Sequence, residues 1–470
     1  MPALLSLILF FLRERIRLIT VIGTITALLL AVVAWFIPFE EIINIGPLEF
    51  ELTASYVFLG RQFVLDAARS SVLVLLYGVV AFWFAGSKVA NTNTFFVPGG
   101  LLVVSLLVGA LAVEPFLYAA LFIEMAVLVS IPMLISPGSM VGRGILRFLT
   151  FQTLGIPFIL FTGWLLAGVE SSPGDSTLVL QASILLIFGF LFLLAVFPFH
   201  SWIPMLANES HPYVAAYILY LFPMVIMLFG LGFLDRYVWL RSTPDLYSIL
   251  RFAGTIMVII GGLWGAFDKN LSRIMGYAVM MGIGFLLLAL SVSPVDDGGG
   301  YMITIFIALL IPYGFGLGIW ALALTVLRNP RDGELPFSDI YVFENLQGKA
   351  NKFPLAASSL ILAIFSSAGF PLLAGYPPRF ALWTNLTQQN PLITLATLLG
   401  STGLIIAGLR TFSVLVKGLG ENPFTIMESR GQKLLLVIGM LLLLIGGIVP
   451  QIFSIPYSRL AEIFVHLGNN

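Results

Sequence analysis

Apolar runs of about 20 residues recur along the whole chain, which is the length a helix needs to cross roughly 30 Å of hydrocarbon. Short segments carrying most of the charge separate them. Reading between those breaks predicts about fourteen helices, near 3–12, 18–38, 68–87, 96–113, 115–136, 144–168, 176–198, 212–234, 252–266, 272–292, 301–327, 354–377, 391–416 and 434–455. No polar segment is long enough to fold separately, so the expectation is an all-α membrane protein forming one bundle. The longest polar interruption, Arg328 to Lys352, is expected to be a loop.

A missed or invented helix would scramble the alternation of charge between the two sides of the membrane. With the first loop placed inside, the inner side collects Arg13, Arg15, Arg17, Lys88, Arg143, Arg147, Lys269, Arg273, Arg328, Arg331, Lys349, Lys352, Lys417, Arg430 and Lys433. The outer side keeps Arg61, Arg69, Arg236, Arg241, Arg251 and Arg459, with acidic pairs at 40–41 and 296–297, and both termini face outward.

Composition agrees: 59% hydrophobic residues, 10% charged and a mean hydropathy of +1.04 exclude a set of soluble domains. The absence of cysteine removes disulfides, thiolate metal sites and Cys-held redox cofactors together. No flavin, iron–sulfur cluster or haem is expected on this chain. Balanced charge, 23 basic against 23 acidic residues, and the lack of a basic run predict no nucleic-acid partner. MPALLSLILFFLRERIR has no basic leader and no A-x-A site, so it is expected to be a retained first helix.

Proline inside a spanning helix removes a backbone hydrogen bond, and in lipid the freed carbonyl must find another partner or line a cavity. Such breaks fall at AVFPFHSW in the seventh predicted helix, at Pro223 in the eighth, at Pro312 in the eleventh and at SSAGFPLLAGYPPRF in the twelfth. The seventh and twelfth share Phe-Pro and lie five helices apart. Five is odd, so a repeat of that length would be inverted. Proline and glycine are also simply common in membrane helices. The weaker GGLWG (261–265) and GFGLG (314–318) spacings suit close helix packing.

Ionisable side chains at membrane depth are expensive, so each is a candidate site. Glu124 sits near the middle of the fifth predicted helix, as a proton-exchanging group or as a neutral acid bonded to a backbone carbonyl. Arg379 follows the twelfth-helix break in GYPPRFALW; it can hold a carboxylate or bias a field, or it can snorkel from the outer edge, but it cannot relay a proton. Arg410 is expected to snorkel. His200 and His211 flank the bend containing Glu209 at a spacing that fits no metal pattern, so His200 is read as a helix-ending or proton-entry residue.

FPFHSWIPMLANESHPYVAAYILYLFPMVIMLFG resembles the PFHxWLPDAHxxAPT signature of the antiporter-like membrane subunits of complex I (NADH-quinone oxidoreductase subunits L, M and N) and of Mrp cation/proton antiporters. EPFLYAALFIEMAVLVSIPMLI, FDKNLSRIMGYAVMMGIGFLLLAL and FSSAGFPLLAGYPPRF resemble that family's fifth-helix, QxDLKRLLAYSSISHMGF and twelfth-helix stretches, in order over residues 55 to 420. The resemblance implies N-terminal helices in 1–95, inverted five-helix repeats at 96–234 and 252–416, a final helix in 434–470, and a polar axis at mid-membrane. It implies a multi-pass protein of the bacterial inner membrane, with other membrane subunits, the bilayer, and protons or sodium as partners.

Carried over by position, the family's fifth-helix glutamate is Glu124. Its seventh-helix lysine falls on Leu193, its eighth-helix lysine or histidine on Val225, its twelfth-helix lysine or glutamate on Arg379, and its acidic residue after the Trp-Leu-Pro turn on Met205. Without a titratable lysine beside Glu124, a degenerate subunit follows. The expected function is a membrane-arm subunit of a complex I-type assembly that takes part in proton translocation or supports it structurally. The alternatives are a translocating subunit of an Mrp-type antiporter or membrane-bound hydrogenase, and a spacer between active subunits.

Overall fold

The computed structural model describes residues 2–36, 42–45, 48–51, 55–58, 60–64, 67–135, 140–171, 176–292, 300–328, 336–417, 425–461, 464 and 467. The acidic pairs at 40–41 and 296–297, and Arg331, lie outside them. The apolar runs are helices: α1 (Pro2–Phe11), α2 (Ile16–Phe36), α3 (Ala67–Ser87), α4 (Phe96–Ala112), α5 (Leu117–Leu134), α6 (Arg143–Ser171), α7 (Ser176–Leu193), α8 (Trp202–Glu209), α9 (Pro212–Arg236), α10 (Val238–Arg241), α11 (Pro244–Phe267), α12 (Leu271–Leu290) and α13 (Gly300–Val326). They continue as α14 (Phe337–Ile340), α15 (Phe343–Leu346), α16 (Pro354–Ala368), α17 (Tyr376–Gln389), α18 (Pro391–Val416), α19 (Arg430–Ile448) and α20 (Ser454–Ala461). Among the described residues ten helices are long and apolar enough to cross a membrane, and α1, α4, α7 and α16 are apolar but shorter. The chain is a helical, multi-pass integral membrane protein.

Two helices form the hub. An 18-residue stretch is 94% buried in both α9 and α12, against 22% in α19. In α9 the reason is a tyrosine stripe. Tyr213, Tyr217 and Tyr220 project along one side and donate to the carbonyls of Trp83 in α3 (3.0 Å), Gly100 in α4 (3.0 Å) and Leu310 in α13 (3.1 Å). Each ring lies over a glycine of the helix it reaches, Gly86, Gly100 or Gly314, where a Cβ would collide with it or crowd it. One helix is thereby bolted to three others. On the other side, α11 and α18 meet backbone to backbone, because Cβ atoms on Gly262, Gly400 and Gly403 would overlap the opposing chain. Within GGLWG it is Gly262 that packs against α18 and Gly261 against α12, whereas a Cβ on Gly265 would make only ordinary contacts.

Three expectations are corrected. First, α11 begins at Pro244 rather than 252, since Pro and Asp245 suit a first turn; the Arg251 inside it donates to the Ser291 carbonyl at 3.1 Å. Second, part of the loop before α3 forms strands. β1 (Ile42–Ile45) pairs with β2 (Leu48–Glu51), and β3 (Ser55–Phe58) with β4 (Arg61–Val64), which also pairs with β5 (Val113–Glu114) after α4. The apolar–polar alternation in INIG and LEFE carried that signal at period two. Third, the described part of 328–352 is a packed cap: Ile340, Tyr341, Phe343 and Leu346 are buried, and Leu271 and Phe343 donate backbone bonds across to Tyr341 and Lys269. The half-buried Arg410 reaches this end of the bundle: its guanidinium donates to the Ala266 carbonyl in the last turn of α11 and lies over Phe343 of the cap.

His211, just before α9, is held in the same cap. Its ring meets Phe337 edge-on at 5.6 Å. Burial, reinforced by Arg328, lowers its pKa to about 4 against an opposing hydrogen bond with the backbone of Ala90. Because the folded value lies below the ordinary 6.5, the neutral form is the one that fits. Its stabilisation is complete above pH 6.5 and is lost as pH falls towards 4.

Two measurements check this packing. Gly262→Leu is expected to lower the stability of the purified protein by about 1–3 kcal/mol, since neither backbone can retreat; an unchanged melting midpoint would mean that α11 and α18 do not touch there. Between pH 6.5 and 4 the wild type is expected to lose stability with a slope of up to about 1.4 kcal/mol per pH unit that His211→Gln lacks. Parallel curves for the two proteins would contradict the buried neutral imidazole.

Candidate functional site

The seventh expected helix is broken. α7 ends at Leu193, where Ala195 adopts φ 52° and Val196 and Ala195 donate back to the carbonyls of Leu191 (3.0 Å) and Phe192 (3.2 Å). That is a Schellman turn, and it leaves carbonyls at the helix end without their helical partners. The chain then passes Phe197–Pro198 and a 3-10 turn, Phe199–Ser201, into α8. The stranded Leu193 carbonyl is not left bare: Gln152, wholly buried on α6, donates to it from Nε2 at 2.9 Å.

The second break repeats the device. α16 ends at Ala368 with Gly369 at φ +79°, and Gly369 and Phe370 donate to the carbonyls of Ser366 (3.1 Å) and Phe365 (2.9 Å). The Phe365 and Phe370 rings stack at 5.3 Å, the apolar contact that accompanies this turn. Arg379, on the first turns of α17, folds back beneath it and donates to the Ser366 carbonyl at 3.0 Å. Glycine is required at 369 and 375, because a Cβ there would strike Arg379 or the Ser366 carbonyl.

Arg379 is 5% exposed, so it does not snorkel. Its guanidinium lies 4.6 Å from the centre of the Phe285 ring on α12 and within electrostatic range of Tyr313 on α13. The Tyr313 hydroxyl is buried without a hydrogen-bond partner, and its ring is 5.5 Å from Tyr220. A polar line therefore runs from the tyrosine stripe of α9 through α13 to the second break.

Glu124 sits halfway along α5, at the seam with α6. Thr153 donates to its Oε1 at 2.8 Å, while its Oε2 is buried with no hydrogen-bond partner. Thr153 follows Gln152 in sequence. Two consecutive residues of α6 thus hold the Glu124 carboxylate with one side chain and the broken end of α7 with the other. Of the two readings of Glu124, the neutral acid bonded to a backbone carbonyl is not what the structure shows: its partner is the Thr153 side chain. The outer edge of the seam is apolar and exposed on this chain, at Leu121, Met125, Leu128 and Leu154.

The positions at which the family's lysines would lie are filled. Leu193 and Val225 are buried, and Leu193 lies against Gly155 of α6, where a Cβ would meet it at 2.8 Å. Met205 takes a contact from Arg147 Nη1 to its Sδ at 3.1 Å. His200 lies in the 3-10 turn after the first break, stacked on Phe197 at 5.5 Å with Nδ1 buried and unpartnered. Glu209 caps α6 by accepting from the Gly144 amide at 2.6 Å. Among the described residues no His, Cys, Asp and Glu cluster could hold a metal.

Glu124, His200 and Arg379 therefore do not form one cluster: the first is in the α5–α6 seam, the second follows break one, and the third lies under break two. Sequence reasoning missed Gln152 and Thr153. The signal was a pair of uncharged polar residues in the middle of an apolar run, FLTFQTLGIPFIL, which a search limited to ionisable groups passes over.

The profile of the family described as NADH:quinone oxidoreductase/Mrp antiporter, TM, matches residues 169–406. Relatives include NADH-quinone oxidoreductase subunit N of Dehalococcoides mccartyi, 25% identical over 60% of this chain and 58% of the relative. Subunit N 2 of Acidobacterium capsulatum is 24% identical over 65% and 64%. The chain thus spans less than two thirds of the length of these relatives. Among solved structures, a chain of the archaeal membrane-bound sulfane sulfur reductase overlays with a TM-score of 0.80 at 17% identity, covering 99% of this chain and 96% of that one. A chain of the Mrp complex from Dietzia sp. gives 0.77 at 15%, covering 100% and 98%, and one of respiratory complex I from Thermus thermophilus gives 0.73 at 19%, covering 100% of both. These overlays establish the fold, and with half of the chain matched by the family profile, the chain belongs to the NADH:quinone oxidoreductase/Mrp antiporter transmembrane family.

Proposed function

We propose that this chain is an antiporter-like membrane-arm subunit of an NADH-quinone oxidoreductase-type assembly in the bacterial inner membrane, built from fourteen spans. The observation that carries the reading is the pairing of Gln152 and Thr153, which couples a mid-helix carboxyl to the end of a broken helix. In this reading α4 to α9 and α11 to α18 are the inverted five-helix units, bounded near 96–234 and 252–416. What supports the pairing is that a Schellman turn interrupts the fourth member of each unit and a polar side chain donates to a carbonyl of each turn, the one at Leu193 otherwise free and the one at Ser366 already bonded to Gly369.

The side chains divide the work by what each can exchange. Glu124 takes and releases a proton at the oxygen that Thr153 leaves free. Arg379 stays charged and holds the second break in shape, with its field on Tyr313. His200 stands where α7 gives way to α8 and protons enter. With Leu193 and Val225 aliphatic, no ammonium group passes the proton between the units, so translocation through this chain is reduced to a short path near Glu124, and the rest is architecture. The apolar seam outside Glu124 is the face on which a neighbouring membrane subunit packs. The Mrp-type reading, with a monovalent cation exchanged for protons, draws on the equally extensive overlay with the Dietzia sp. chain.

Glu124→Gln in the reconstituted assembly is expected to lower proton translocation roughly tenfold or more while the subunits still copurify. Unchanged transport would leave only the architectural role, and loss of sodium-dependent exchange in its place would favour the Mrp type. Gln152→Met keeps the volume but leaves the Leu193 carbonyl unanswered, with an expected stability loss of about 1–3 kcal/mol in detergent; equal stability would mean that water or another donor already serves that carbonyl.

A further inference from the structure

The helices α2, α3, α13 and α20 enclose a slot of about 220 Å³ whose walls are almost wholly apolar. It follows α3 from Ser71 to Phe82, a rise of roughly 16 Å along a helix axis. That is close to the depth of one bilayer leaflet. Its floor is open because of a missing side chain: nothing lies within 4 Å of where a Cβ on Gly78 would project. At the mouth, beside the end of α2, Arg459 of α20 lies 4.1 Å from the centre of the Trp35 ring. Arg and Trp together mark the headgroup level of a membrane.

We propose that this slot binds an anionic phospholipid, with one acyl chain laid along α3 over Gly78 and the headgroup phosphate paired with Arg459. Charge chooses the occupant. A one-leaflet apolar slot facing the bilayer takes a hydrocarbon chain of any lipid, but the exposed guanidinium at its mouth adds a charge-assisted contact that a phosphate diester bearing net negative charge keeps and a zwitterionic headgroup partly neutralises. The Trp35 ring, 4.1 Å from the guanidinium carbon, helps to fix where that phosphate sits.

The test uses the full chain, stripped of lipid in detergent and then incubated with equal amounts of phosphatidylglycerol and phosphatidylcholine of identical chains; retained lipid is counted by native mass spectrometry. The wild type is expected to keep phosphatidylglycerol with a preference of roughly tenfold. Arg459→Gln should erase the preference but not the occupancy. Gly78→Leu, which projects into open space and so leaves the fold intact, should abolish retention of both lipids. Preference unchanged in Arg459→Gln, or retention unchanged in Gly78→Leu, would overturn the proposal, as would a quinone recovered from the slot of the unstripped protein in place of phospholipid.

Discussion

A backbone carbonyl released inside a bilayer has no water to turn to, and the architecture around the two helix breaks follows from that constraint. Each break is closed by the same turn, which satisfies what it can through backbone amides. A long polar side chain from elsewhere then adds a bond: an amide from α6 to the free Leu193 carbonyl at the first break, a guanidinium from α17 to the Ser366 carbonyl, shared with Gly369, at the second. The glycines around Arg379 and the leucine against Gly155 are the steric counterpart, since they let those side chains and their neighbours approach.

The same economy of polar groups explains the hub. Three tyrosines on α9 each bring a hydroxyl into the apolar interior and each find a carbonyl on a different helix, so the stripe that costs most to bury is also what fixes α3, α4 and α13. Tyr313 and Arg379 extend that line towards the second break, while Glu124 lies apart from it in the α5–α6 seam. The scaffold thus carries two polar regions, one at Glu124 and Thr153 and one at Tyr313 and Arg379, while Leu193 and Val225 are aliphatic and buried.

Much of this was legible before any coordinates. Apolar length located the helices, and Phe-Pro and Gly-Phe-Pro marked where α7 and α16 stop, because proline and glycine act on their own backbone within a few residues. What escaped was set by distant partners. Nothing within GYPPRFALW says whether Arg379 turns out to the headgroups or folds inward, because that depends on Gly369 and the Ser366 carbonyl lying beneath it. Gln152 and Thr153 were invisible for a related reason: uncharged side chains raise no alarm in an apolar run, and their importance comes from what α5 and α7 present to them. The strands at 42–64 and the cap at 337–351 were passed over because charge and turn residues outweighed a short alternation and a handful of buried aromatics.

The account stands on the contact between the Thr153 hydroxyl and the Glu124 carboxyl, the group we propose exchanges protons. Infrared difference spectroscopy of the protein in lipid, recorded across a pH titration, reads that carboxyl directly. The prediction is a protonated carboxyl band that is absent in Glu124→Gln and shifts in frequency in Thr153→Val, which removes the hydroxyl but keeps the shape. A spectrum with no titrating band assignable to Glu124, or a band indifferent to the loss of the Thr153 hydroxyl, would contradict it.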